Sequence, residues 1–148
     1  MSEINAHNVH IRVAYIQSVY RESDRVFEMF MQPIAAYDKD GKIVKASRDF
    51  RKLSGITEED IRTRSADIFD CLNNENAGIT EAARSVFDEK YTEKIVNNLV
   101  CPLLPKTEVA KKLLDKFKSA VFFPMSHIEG SVEYGGVLLM EEEKMDSG

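Results

Sequence analysis

The chain has no tryptophan, four prolines and only two cysteines in 148 residues. The cysteines, Cys71 and Cys101, have no metal-type spacing, and two cysteines do not make a disulfide framework. Acidic residues (25) outnumber basic ones (20), so the net charge of −5 argues against general affinity for nucleic acid. No apolar run approaches the ~18 residues of a membrane-spanning helix, and the polar start lacks a signal-peptide pattern. We therefore expect a cytoplasmic protein with reduced thiols that binds neither membrane nor nucleic acid.

The sequence offers little for catalysis. It has no Ser-His-Asp order, glycine-rich phosphate loop or Cys-x-x-Cys motif. The three histidines are His7, His10 and His127. His7 and His10 could share a helical face, but the residues around them do not complete a metal site. We expect neither an enzyme nor a metal protein. With 43% hydrophobic residues the chain can build a core, and its length fits one domain.

Apolar residues recur at steps of three and four over roughly the first thirty residues, which predicts an amphipathic helix with a heptad-like stripe. The stripe consists of Ala6, Val9, Val13, Ile16, Tyr20, Phe27 and Phe30, with Ser23 as its polar break. Ser23 or Asp24 can cap a second helix over residues 25–31. Two interpretations stay open, and both could hold at once. The stripe packs on its own domain, or it pairs with a second subunit to form a homodimer. The predicted interface is then Val9, Val13, Ile16, Tyr20 and Phe27.

A tight turn joins two short apolar runs at residues 34–37 and 43–44. Asp40-Gly41 between such runs is a strong hairpin signal, because glycine adopts the positive φ that the turn needs. After the turn, the spacing of the apolar residues becomes that of a helix, with Phe50 and Leu53 on one face and Gly55 at the helix end. Thr57 and Asp60 predict a capping box at the start of the next helix.

This stretch resembles the opening of a PAS domain. The matching residues are Asp38, Asp40, Gly41, Lys42, Ile43, Val44, Ala46, Phe50, Leu53, Ser54, Gly55, Thr57 and Glu59. The match is specific over residues 33–61 and weaker as far as about residue 142. Ser47 stands where the family most often has Asn, and either side chain can cap the following helix.

The remaining elements are predicted from local patterns. Thr80 is expected to cap a helix from residue 81 to about residue 90, and Thr107 a helix over residues 108–118. Residues 91–104 fit either a strand or a longer helix. Residues 120–125 and 132–140 predict two antiparallel strands, with a bulge or an edge position at Pro124.

The patterns and the resemblance together imply an α+β fold. We expect a PAS-like, five-stranded antiparallel sheet with helices on one face and an N-terminal helix. The expected divisions are an N-terminal helix at residues 1–32, a PAS domain at 33–143 and a tail at 144–148.

The resemblance also implies a cavity under the helices. Its expected lining is Tyr37, Ile43, Arg48, Phe50, Leu53, Ile68, Phe69, Leu72, Phe87, Phe123, Met125 and Leu139. Asn97 is a further polar candidate. The alternative is that the apolar members simply fill the core.

The cofactors known in the family are not matched here. Flavin-binding members carry an Asn-Cys-Arg-Phe-Leu-Gln run, but the corresponding residues 64–69 have Ala66 near the cysteine position. Haem-binding members use a histidine on the long helix before the later strands, and residues 81–118 contain none. We therefore expect neither flavin nor haem, and we interpret Cys71 and Cys101 as small buried hydrophobic residues.

The function implied by the resemblance is a cytoplasmic sensory and dimerisation module of a signal-transduction protein. The parent protein would be a sensor kinase, a cyclic-dinucleotide enzyme or a transcription regulator. Such a module would bind a small apolar or mixed ligand. The alternative is a ligand-free PAS domain for protein–protein interaction.

Overall fold

The computed structural model describes residues 6–88 and 93–141, with side chains from residue 8 onward. Its helices are α1 (Ala6–Glu22), α2 (Asp24–Glu28), α3 (Arg48–Ser54), α4 (Glu58–Arg62), α5 (Ile68–Cys71), α6 (Ile79–Ser85) and α7 (Glu108–Leu114). Its strands are β1 (Ile34–Tyr37), β2 (Ile43–Ala46), β3 (Lys94–Val96), β4 (Phe117–Ile128) and β5 (Ser131–Glu141). The predicted tail at 144–148 lies outside the described residues.

The five strands form one antiparallel sheet in the order β2-β1-β5-β4-β3. This confirms the predicted α+β fold with a five-stranded antiparallel sheet. Residues 91–104 were expected to form either a strand or a longer helix. In the described part, Lys94–Val96 form a strand, so the strand interpretation is correct there. Residues 89–92 lie outside it.

Side chains alternate between the two faces of the sheet, because successive residues of a strand point to opposite sides. In β1, Ala35 and Tyr37 join a core cluster with α3, α5, α6 and α7. Ile34 and Ala36 join a second cluster with α1 and α2 on the opposite face. We call these the helix-side core and the α1-side core. The N-terminal helix thus covers a face of the sheet that the other helices leave open.

The predicted β1–β2 hairpin is confirmed in its details. The Asp38 side chain accepts hydrogen bonds from the backbone N–H groups of Asp40 (3.0 Å) and Lys42 (2.9 Å). Gly41 has a φ of 87°, and a Cβ there would lie 2.5 Å from the Phe69 ring. Glycine is therefore required at this position both for the backbone conformation and for the approach of Phe69.

The predicted helix caps next to the hairpin are also confirmed. The Ser47 hydroxyl accepts from the Phe50 N–H at the start of α3 and from Ile34 N–H, and it donates to Gln32 O at 2.7 Å. Ser47 therefore acts as the cap expected at this position. Thr57 and Asp60 form both bonds of the capping box at α4.

Three helix predictions need correction. The second helix spans Asp24–Glu28 rather than residues 25–31. Thr80 is not a cap, because α6 begins at Ile79 after Gly78, and the Thr80 hydroxyl donates to the Asn74 side chain instead. Helix α7 begins at the Thr107 cap as predicted but ends at Leu114, because β4 already starts at Phe117.

Candidate functional site

Most of the predicted pocket residues meet in the helix-side core. Seven are buried there, namely Tyr37, Ile43, Phe50, Leu53, Ile68, Leu72 and Leu139, and Phe69 and Phe87 pack against them half-buried. Three predictions of lining residues are wrong. Phe123 and Met125 belong to the α1-side core, and Arg48 is exposed at the start of α3. Asn97 is half-buried and accepts a hydrogen bond from the Ser119 hydroxyl (2.8 Å).

Tyr37 fills the centre of the helix-side core. Its side chain is fully buried, and its hydroxyl donates to Ala83 O on α6 at 2.7 Å. Its ring meets the Phe87 ring edge to face, with centroids 5.8 Å apart. Burial raises the pKa of the phenol far above its usual value, so the hydroxyl stays protonated and keeps its role as a donor.

Gly135 on β5 makes room for this ring. A Cβ at position 135 would lie 2.7 Å from Cγ2 of Val86 and 2.9 Å from Cζ of Tyr37. Because Gly135 has no side chain, the Tyr37 ring and Val86 at the end of α6 can pack directly against the backbone of β5. The space in which a ligand was expected is thus occupied at this point by the protein's own side chains.

The predicted dimer residues face their own domain. Val9, Val13, Ile16 and Phe27 are buried in the α1-side core, and Tyr20 packs against it half-buried. The interpretation that the stripe packs on its own sheet is therefore confirmed. Four of the five side chains are already covered by this sheet, and the subunit interface stays a prediction.

Apolar side chains also lie on the outer side of α1. Ile11 and Tyr15, one helical turn apart, are 55% and 58% exposed. The Tyr15 ring contacts Phe30 beyond α2, with centroids 6.0 Å apart, and Met31 is 87% exposed. We call Ile11, Tyr15, Phe30 and Met31 the outer patch. The sequence feature that indicates this patch is the spacing of Ile11 and Tyr15, two apolar residues four positions apart that lie outside the buried stripe.

A cleft of about 710 Å³ lies beside α1 on the α1 side of the sheet. Its α1 wall includes Gln17, Tyr20 and Arg21, and Pro124 and Glu133 lie across from them on β4 and β5. Gln17 Nε2 donates to Pro124 O at 2.6 Å, which fixes α1 to the strand at the predicted bulge. No sequence pattern indicates this cleft, because it depends on where α1 crosses the sheet.

Both cysteines are buried and unpaired with each other. Burial raises the pKa of the Cys71 thiol to about 11 and also raises that of Cys101. A protonated thiol is a poor nucleophile, and both side chains lie buried as the sequence predicts.

Residues 6–88 and 93–141 contain no group of three or more histidine, cysteine or carboxylate side chains that could hold a metal ion. Among the helices in this part of the chain, none is long and apolar enough to cross a bilayer.

Comparison of the sequence with known protein families and with curated proteins gives no match.

Solved structures, in contrast, are similar in fold. The PAS domain of an HTR-like protein from Haloarcula marismortui aligns with a TM-score of 0.54 at 14% identity, covering 89% of this chain and 98% of that one. The LOV protein of Rhodobacter sphaeroides gives a TM-score of 0.51 at 16% identity over 84% and 67% of the two chains. Cycle PAS-B from Drosophila melanogaster, with bound ethylene glycol, gives 0.50 at 8% identity over 74% and 98%. The fold of this chain is that of a PAS domain.

Proposed function

We propose that this chain is a cytoplasmic sensory and dimerisation module of a signal-transduction protein, such as a sensor kinase, a cyclic-dinucleotide enzyme or a transcription regulator. The PAS fold supports a signalling role by analogy, since fold alone does not fix function. A second copy of the chain is the proposed partner. The module would act by shifting a dimer between two arrangements.

The observation that carries the proposal is the outer patch. Ile11 and Tyr15 leave an apolar strip on α1 after the buried stripe has packed on the sheet. The half-buried Phe30 extends the strip after α2 through the contact between the Tyr15 and Phe30 rings, and the next residue, Met31, is exposed. Exposed apolar side chains that lie together mark association surfaces, because burying them in a partner removes them from water. A twofold dimer would bury the patch against its own copy.

Sedimentation of the purified chain tests the dimer. We expect wild type to sediment as a dimer and Ile11→Glu with Tyr15→Glu as a folded monomer. The matched control is Ile128→Glu at the tip of the β4–β5 hairpin, since Ile128 is also 55% exposed. This control should remain a dimer. A wild-type monomer, or a dimer that persists with both glutamates, would overturn the outer patch as the interface.

The position of Tyr37 in the helix-side core favours the ligand-free form of this function over the ligand-binding form. Tyr37 spans from the sheet to Ala83 O, so a small molecule would have to displace it from that position. Native mass spectrometry of protein purified under mild conditions is the test. The expected mass is that of two polypeptide chains with no added ligand mass. A co-purified molecule, located among the helix-side residues by crystallography, would favour the ligand-binding form instead.

A further inference from the structure

The cleft beside α1 is lined by polar side chains that include charges of both signs, and four of these side chains form two contacts at its two ends. His10 Nδ1 lies 2.8 Å from Glu93 Oε1 at the β3 end. Lys45 pairs with Asp24 at the β2 end, and its ammonium lies over the Tyr20 ring. These four side chains therefore have partners within the chain.

Two charges of opposite sign remain. The Arg21 guanidinium forms no ion pair within the described part of the chain. The Glu133 carboxylate accepts a hydrogen bond from the Ser126 hydroxyl (3.2 Å) and has no cationic partner among the described residues. Both side chains line the cleft, on α1 and β5 respectively.

Tyr20 is a further lining residue of the cleft. It adjoins Arg21 on α1, and its ring packs against Tyr134, the neighbour of Glu133, with centroids 6.4 Å apart. Burial, then Tyr134 and then Glu133 raise the pKa of Tyr20, so the Glu133 charge acts at the phenol. The phenol stays protonated as a hydrogen-bond donor, and the Gln17 amide provides a second polar group on the same wall.

We propose that this cleft binds a short zwitterionic peptide, with its carboxylate on Arg21 and its ammonium group on Glu133. A guanidinium is suited to a carboxylate because it donates two parallel hydrogen bonds, and a carboxylate is the natural partner of an ammonium group. The cleft volume of about 710 Å³ lies within the range of roughly 300–1,000 Å³ of small-molecule sites.

The test is an NMR titration of the ¹⁵N-labelled full chain with trialanine. We expect saturable shifts at the amides of Arg21, Ser126 and Glu133. Two blocked probes test the charge requirement. N-acetyl-trialanine has only the carboxylate and trialanine amide only the ammonium group, and each should bind at least tenfold more weakly, because one charge-assisted contact is lost.

The variants Arg21→Gln and Glu133→Gln should each weaken trialanine binding about tenfold. Arg25→Gln and Glu129→Gln are the matched controls, since both side chains are exposed and neither lines the cleft. They should bind as wild type does. Sedimentation of each variant checks that the proposed dimer is unchanged, so failure of the peptide site leaves the dimer proposal standing.

Three results would overturn the peptide site. One is the absence of saturable shifts at millimolar trialanine. Another is equal binding of the zwitterion and both blocked probes, which would show that the two charges do not select the ligand. The last is a titration in which the Arg21 and Glu133 variants match the controls.

Discussion

Gly135 and Tyr37 fit against each other so closely that a methyl group on Gly135 would lie 2.9 Å from Cζ of the tyrosine ring. They face each other across β1 and β5, where their Cα atoms are register partners. The helix-side core is thus built around a large side chain on one strand and a missing side chain on the next.

Gly135→Ala should lower the free energy of unfolding by about 1–3 kcal/mol, because the added methyl overpacks a space bounded by Tyr37 and Val86. Urea denaturation measures the loss. In a Tyr37→Ala background the same change should cost less, since one of the two clashing groups is gone. Equal costs in both backgrounds would contradict the contact.

Tyr37→Phe should cost about 1–2 kcal/mol of unfolding free energy, because it leaves Ala83 O without its donor. Ala83 lies in the last turn of α6, where helical carbonyls lack partners within the helix. Tyr37→Ala should cost about 3–5 kcal/mol, since it also removes a buried ring. Denaturant titration of both variants separates the contribution of the hydroxyl to the free energy of unfolding from that of the ring. A Tyr37→Phe variant as stable as wild type would show that the hydrogen bond adds nothing.

Ile16→Glu should unfold the domain or lower its stability by about 3 kcal/mol or more, because it places a charge in the α1-side core. Ala14→Glu is the control on the same helix, where the side chain is exposed. It should melt close to wild type in circular dichroism. A fully stable Ile16→Glu protein would mean that the stripe is free of the sheet, as a subunit interface would require.

The Asp60 carboxyl should titrate below its ordinary pKa of 3.8, because the Thr57 backbone N–H, and then the Thr57 hydroxyl, bond to this residue in the capping box. The folded protein stabilises the ionised Asp60 carboxylate. The carboxylate therefore adds to the free energy of unfolding above pH 3.8, and this addition is lost as the pH falls through the lower pKa of the folded state. NMR titration of the carboxyl carbon measures it directly.

Thr57→Val keeps the backbone donor but removes the hydroxyl, so the pKa of Asp60 should return only part of the way to its ordinary value. Thr80→Val is the control, since that hydroxyl bonds to Asn74 elsewhere in the fold. An Asp60 pKa at or above 3.8 in wild type would contradict the capping geometry.

The features that were predictable from sequence are those set by neighbouring residues. The Asp38–Gly41 turn and the Thr57–Asp60 box depend on backbone geometry within a few positions, so the residue types alone specify them. Thr80 shows the limit of such patterns. The fold supplies its hydroxyl with Asn74 as a partner, and Gly78 begins the helix without a side-chain cap.

The candidate site was less predictable, because it depends on which face of the sheet a residue occupies. Phe123 and Met125 look like pocket residues in sequence, but the β4 register turns them towards α1. Similarly, the heptad-like spacing of Val13 and Ile16 indicates a buried stripe without naming its partner. Strand register and helix placement are long-range features that periodicity does not contain.

The α1-side core has a practical consequence for anyone shortening the chain. A fragment trimmed to begin at Pro33, where the family resemblance starts, would lose α1 and α2 and uncover Val121, Phe123, Met125 and Leu138 together. Such a fragment would present an apolar sheet face to solvent and is expected to aggregate. We therefore expect a stable fragment of this domain to need the N-terminal helix.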